Sequence, residues 1–403
     1  MSSNARTSAA QTSEDDAAEV PAGSRVAPRM AVSLQEYHER VAKTRRWMRE
    51  NDVDLLLLNQ PEHYNWLTGY DPTSVFYHQT LIVPAADEPL TMMCNKAEMT
   101  LYEETSWVED VRVVWTHEDQ VARVLEAVRD RGLERAARVG LNLMSYHLRP
   151  RYAFELREGL GDAEVIDVTS ALDDLRLVKS AAEIDYLRRA AHVADLGVTA
   201  GINAIREGVS DRDVMAAIQH AVSLNGGEFP AYPFLVDARG SLHGTPIGKL
   251  LGSGDTVYME VSGVVRRYHC NISRTVVVGE PSAKLRELYV VVKDALDRAT
   301  DAMRPGTSVK EIVDLVASSH KGYEQNTWGR FGFSMEIAYP PIWIGGLSLM
   351  PGDEHVLEAG MVITMEPGLA YADGATMMLG NNVLITEHGP EILNNVPSDL
   401  ISR

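Results

Sequence analysis

The sequence predicts a mixed α/β protein in two parts. A small N-terminal α/β domain spans residues 32–172, and an α+β domain of two related halves spans residues 173–403. Three observations carry this. Short apolar runs alternate with amphipathic helical stretches through the first part, the pattern of a layered α/β architecture. A capping box, Ser180 with Glu183, opens the second part with a long helix. An internal echo then recurs at a nearly constant offset, which predicts a structural repeat.

The elements follow in order. Residues 1–31 are rich in Ala, Ser, Asp and Glu, with no apolar core of a signal peptide, and predict a disordered tail. From Ser33, the positions Tyr37, Val41, Trp47 and Met48 keep helical spacing. Asp54 to Leu58 predicts a buried strand, with a turn at Gln60-Pro61. Val75 to Val83 and Pro89 to Met93 predict further strands, Val121 to Val128 a helix, and Arg138 to Leu141 another short strand. The first domain closes between Val165 and Asp174. After the capping box, Ile184, Leu187, Ala191, Ala194 and Val198 mark one face of a helix.

The echo has two pieces. Ala204 to Ser210 (AIREGVS) matches Ala302 to Ser308 (AMRPGTS), an offset of 302 − 204 = 98. Each copy ends a helix, turns on a glycine and caps the next helix with serine. Gly254 to Glu260 (GDTVYME) matches Gly360 to Glu366 (GMVITME), an offset of 360 − 254 = 106. Two units packed about a pseudo-two-fold axis would bring Glu260 and Glu366 toward one cleft. On the echo alone, a pair of unrelated glutamates on solvated strand edges is the competing reading.

Composition limits the function. With 38 Lys+Arg against 57 Asp+Glu, the net charge of −19 repels phosphate backbones, and no basic patch offsets it, so nucleic acid is not expected as a partner. No apolar run approaches the roughly 20 residues that span a bilayer. Two cysteines, Cys94 and Cys270, make neither a disulfide framework nor a Cys-rich zinc site. A cytoplasmic protein acting on a small molecule is the expectation.

Several motifs resemble one family. Leu177-Val178-Lys179-Ser180 with Glu183-Ile184, Arg304-Pro305-Gly306, Met365-Glu366-Pro367-Gly368 and Asn382 to Thr386 are similar to the creatinase/prolidase/methionine aminopeptidase (M24) family. The resemblance covers roughly residues 33 to 393 and implies the pita-bread fold and a homodimer. Family metallopeptidases hold two metal ions through two Asp, one His and two Glu. Here those places read Glu260, Asn271, Arg330 in Gly329-Arg330-Phe331-Gly332, Glu366, and either Gly380 or Asn381. Hard divalent ions need several anionic or imidazole ligands, so no metal and no other cofactor is expected. Within the family, Glu260 to Thr275, Arg330 to Ser334, Tyr339-Pro340-Pro341 with Trp343, and Trp66 to Tyr70 with His78-Gln79 look like the ectoine hydrolases, metal-free enzymes that open a cyclic amidine. Asn271 and Ile342 depart from that pattern, and the Glu366 motif looks more like creatinase and prolidase.

The resemblance implies Glu260 as nucleophile or as base toward water. Glu366 would bind a cationic amidinium and share proton traffic, and His243, in Ser241 to Thr245, would transfer protons near neutral pH. Arg330 has the planar fork to clamp a carboxylate. Tyr339, Trp343, Trp66 and Tyr70 form a candidate aromatic box for a small cation. His269 is a candidate substrate contact or a structural group, its face uncertain because a turn is expected at Gly263. The expected function is metal-independent hydrolysis of a C–N bond in a small cyclic amidine or guanidino compound. A creatinase-like amidinohydrolase, a metal-dependent Xaa-Pro dipeptidase or aminopeptidase, and a catalytically inert binding protein remain as alternatives.

Overall fold

Ser33 caps the first helix by accepting from the Glu36 amide, and the chain then builds a six-stranded mixed sheet flanked by helices. The computed structural model describes residues 30–403 apart from 242, 372 and 373, so most of the expected tail lies outside the described residues. The N-terminal elements are α1 (Leu34–Glu50), β1 (Leu55–Leu58), α2 (Pro61–Thr68), β2 (Thr80–Pro84), β3 (Thr91–Asn95), α3 (Met99–Thr105), β4 (Asp110–Val114), α4 (Gln120–Asp130), β5 (Arg138–Leu141), α5 (Pro150–Gly159), β6 (Glu164–Asp167) and α6 (Thr169–Asp174). The strand order is β4-β3-β2-β1-β5-β6. Every residue of β1 is buried, as a central strand covered on both faces requires. Two expectations change. Gln60-Pro61 does not turn the chain but starts α2, where proline at the first helical position costs no hydrogen bond. Of the run Val75 to Val83, only Thr80 onward is strand.

The second part contains α7 (Ala181–Ala204), α8 (Asp211–Leu224), β7 (Leu235–Asp237), β8 (Thr256–Val265), β9 (Tyr268–Val277), α9 (Ala283–Ala302), α10 (Val309–Ser319), β10 (Gly332–Ser334), β11 (Val362–Met365), β12 (Gly368–Ala370), β13 (Thr376–Met378), β14 (Asn381–Thr386), β15 (Gly389–Ile392) and β16 (Ile401–Ser402). The Ser180–Glu183 capping box is formed in both directions. Two four-stranded sheets, β16-β9-β8-β7 and β10-β11-β14-β15, meet where Ser273 pairs with Gly380. One core joins α7 and α8 to β8 and β9, and another joins α9 and α10 to β11 and β14.

The repeat is visible in the backbone itself. Gly208 N–H donates to Leu251 O and Gly306 N–H to Leu357 O, both at 2.8 Å. Ser210 bridges Leu250 as Ser308 bridges Val356. These pairs keep the offsets of 98 and 106 read from the sequence. Both glycines hold positive φ, +80° and +90°, which a side chain would resist.

The turn expected at Gly263 is absent, because β8 runs through it. The hairpin reverses instead at Arg266 and Arg267, both at positive φ, the two-residue turn that suits strand twist. Gly263 is small for another reason: a Cβ there would strike the Ala190 carbonyl of α7. Among the described residues, no helix is long and apolar enough to cross a membrane.

Candidate active site

Glu260 sits midway along β8, opposite Ser273 of β9, and Glu366 follows the last residue of β11. The Glu366 amide donates to Phe331 O at 2.8 Å, which ties it to the segment carrying Arg330. Both carboxylates line one cavity of about 110 Å³ with Arg330 and His243. The rest of the wall is mostly aromatic and aliphatic, including Tyr232, Trp328, Phe333, Trp343 and Ile344. The repeat thus does bring the two glutamates together.

Their surroundings differ. Tyr258 Oη donates to Glu260 Oε2 at 2.7 Å, and Asn271 Nδ2 approaches Oε1 at 3.4 Å. Glu366 Oε2 is buried without a hydrogen-bond partner among the described residues, as is Arg330 Nε. Burial raises the Glu260 pKa above the usual carboxylate range, opposed by the Tyr258 hydroxyl and the Arg330 charge. Burial raises Glu366 further, reinforced by the negative charge of Glu260 and opposed by Arg330. Two carboxyls forced together separate their proton affinities. Of the two, Glu260 gives up its proton more readily and Glu366 holds its proton more strongly.

The other sequence candidates divide. His243 is exposed on the Gly240–Gly248 stretch and lines the cavity. Trp343 lines it too, meeting Tyr232 edge-on with centroids 5.3 Å apart. His269 does not. Its Nδ1 faces Arg267 O at 2.7 Å and its Nε2 accepts from the Ala231 amide at 2.9 Å. Both ring nitrogens are spent on backbone, and burial pushes its pKa down to about 3, so it is a neutral prop beneath the Tyr232 loop. Tyr339, Trp66 and Tyr70 also lie off the wall. Tyr339 is buried against Asp71 and Asn65. Trp66 packs under Arg40, and Tyr70 stacks on Tyr64 and donates to Gln79. Their aromatic faces serve packing, so of the four aromatics expected from sequence only Trp343 lines the cavity, beside Tyr232, Trp328 and Phe333. Tyr258 was missed, although it stands two residues before Glu260 on one strand and must share its face.

The five-ligand cage of the family metallopeptidases can be tested against these side chains. A Cβ at Gly380 would lie 3.1 Å from that of Glu366 and 3.0 Å from that of Ser273, so position 380 faces the site. Asn381 instead accepts from buried Arg274 at 2.9 Å. The cage therefore reads Glu260, Asn271, Arg330, Glu366 and Gly380. Two carboxylates, an amide already turned to Glu260, a guanidinium and no side chain do not fit two divalent ions. No cluster of three or more potential ligands occurs among the described residues.

Comparison with known proteins agrees with this architecture. Residues 40–178 match the Creatinase/Prolidase N-terminal domain, and residues 185–387 match Metallopeptidase family M24. The Xaa-Pro dipeptidase of Pyrococcus furiosus is 28% identical over 90% of this chain and 99% of its own. The ectoine hydrolase of Halomonas elongata is 27% identical over 92% of this chain and 98% of its own. The crystal structure of the prolidase from Pyrococcus horikoshii OT3 superposes with a TM-score of 0.79 at 25% identity, covering 90% of this chain and all of that one. With its two-domain fold, its internal repeat and its paired glutamates, the chain is a hydrolase of the M24 family.

Proposed function

We propose that the protein hydrolyses a C–N bond in a small cyclic amidine or guanidino compound without a metal ion, most like ectoine hydrolase. The observation that carries this is the buried pair Glu260–Glu366 beside Arg330, at places where a metal cage would need five good ligands. A substrate with an amidinium and a carboxylate matches the site: the acidic pair suits the cation, and the Arg330 fork suits the anion. Apolar rings on the wall cover the ring carbons.

The chemistry follows from the asymmetry of the pair. Glu260 supplies the electron pair to the amidine carbon, directly or by taking a proton from an attacking water. Glu366 donates its proton to the ring nitrogen as the C–N bond breaks. The net change is addition of one water, one C–N bond broken and one amide C=O formed. On ectoine the product is an N-acetyl-diaminobutyrate. His243, exposed at the cavity, returns protons to the pair.

Incubating the purified protein with ectoine, with and without a chelator, tests this. Product formation that the chelator leaves unchanged is expected. Absence of product removes the substrate, and loss of turnover with chelator removes the metal-free mechanism. A second reading, Xaa-Pro dipeptidase, is favoured by the likeness to the Xaa-Pro dipeptidase of Pyrococcus furiosus. Cleavage of Xaa-Pro dipeptides that rises with added divalent ions would establish it instead.

A further inference from the structure

The cavity wall around Trp343 belongs to a long connection between β10 and β11, and part of that connection is held by residues outside its own sheet. Its first foot is at residues 336–340. Arg176, from the segment joining the domains, pairs with Glu336 Oε2 at 3.1 Å and donates to Ile337 O at 3.0 Å. Glu62 of α2 accepts from the Tyr339 amide at 2.9 Å. The Tyr339 hydroxyl donates to Asp71 at 2.7 Å and accepts from Asn65 at 2.9 Å. The second foot is at 345–346, where the Gly346 amide donates to Glu336 Oε1 at 3.2 Å and a Cβ on Gly345 would collide with that same oxygen. Between the feet stand Ile342, Trp343 and Ile344, all on the cavity wall.

We infer that Glu62 and Tyr339 are positioning residues, through which the N-terminal domain sets the place of the Trp343 wall and hence the fit of the substrate. Neither lines the cavity, so each acts only through the backbone it holds. Glu62 is suited to this: it is half-buried at the domain boundary, and its Oε1 meets the amide two residues before Pro341, on the short path to Trp343. This also assigns a use to Tyr339, whose ring is remote from the cavity although its motif marked it as a site residue. The inference rests on the cavity being the substrate site proposed above, but its physical core, the tethering of residues 339–346, does not depend on which substrate is taken.

The test compares Glu62→Ala, Glu62→Gln and Tyr339→Phe in the full-length protein. Amide hydrogen exchange of residues 339–346 and acrylamide quenching of Trp343 report the tether, and KM and kcat on ectoine report its consequence. Glu62→Ala is expected to speed exchange in this segment and raise KM by about tenfold, the effect of one lost hydrogen bond, with kcat nearly unchanged. Glu62→Gln, which keeps an acceptor for the Tyr339 amide, should restore both. Tyr339→Phe should loosen the segment in the same direction, and it carries the test if Glu62→Ala fails to fold. Wild-type exchange and quenching in folded Glu62→Ala or Tyr339→Phe overturns the inference. Faster exchange in a protein that does not turn over ectoine leaves the tether standing and refutes the substrate instead.

Discussion

Glu260 and Glu366 are chemically identical side chains that the site makes unlike. A tyrosine hydroxyl and an amide stabilise charge on Glu260, whereas Glu366 Oε2 has only the distant field of Arg330 against burial and a neighbouring anion. Turnover is therefore expected to rise with pH as Glu260 ionises and to fall again as Glu366 loses its proton, with Glu366→Gln removing the alkaline limb. Either Glu→Gln substitution should lower kcat by about 10²–10⁴-fold, the usual worth of one acid–base group. The stability effect has a definite sign. Both folded-state pKa values are raised, so the folded chain holds protons that the unfolded chain releases. Their contribution is full below the ordinary carboxylate range and is lost as pH rises through the raised values. Thermal melts at alkaline pH should show Glu366→Gln more stable than wild type, and equal melting temperatures would contradict the buried-acid assignment. At this scale motif and repeat together pointed Glu260 and Glu366 to one cavity, and motif alone pointed Arg330 and Trp343 to its wall. It was not readable for Tyr339 and His269, since a motif position does not say whether a side chain faces the cavity or the scaffold behind it.

Among elements, α7 and β8 form the scaffold that aims Glu260. Gly197 and Gly201 of α7 face Val261 and Met259, and Gly263 of β8 faces the helix backbone, so helix and strand pack at backbone distance. Gly263→Ala is expected to destabilise the protein by about 1–3 kcal/mol, the usual range for overpacking. A differential thermal scan would read this as a lowered melting temperature, and an unchanged value would mean that α7 has room to move. The sequence showed α7 clearly, because capping box and apolar spacing are local signals. It mistook Gly263 for a turn because a glycine marks either a bend or a close approach, and only the partner element decides between them. It likewise mistook Gln60-Pro61, where a proline both ends one element and starts the next.

Across the whole molecule, the domains are joined by buried charge as well as apolar packing. Arg40 of α1 donates to Trp66 O at 2.9 Å and reaches Glu183 of α7 at 3.4 Å, while Tyr268 donates to the same Glu183 oxygen at 2.9 Å. A core cluster runs without a break from Tyr64 and Trp66 to Leu187 and Met335. Unfolding is expected as one calorimetric transition, and Arg40→Ala should cost about 1–3 kcal/mol by removing the guanidinium from the buried Glu183, which keeps Tyr268 and the Ser180 amide. Two separated transitions in the wild-type protein would show that the domains melt independently. The repeat of helices and strands has its own consequence. A nearly two-fold scaffold offers its two carboxylates equally, so it has no built-in left and right. What gives the site a direction is its least symmetric part, the hydroxyl of Tyr258 and the amide of Asn271 on one side only. The difference between the two carboxyls is thus written in their neighbours and not in the fold.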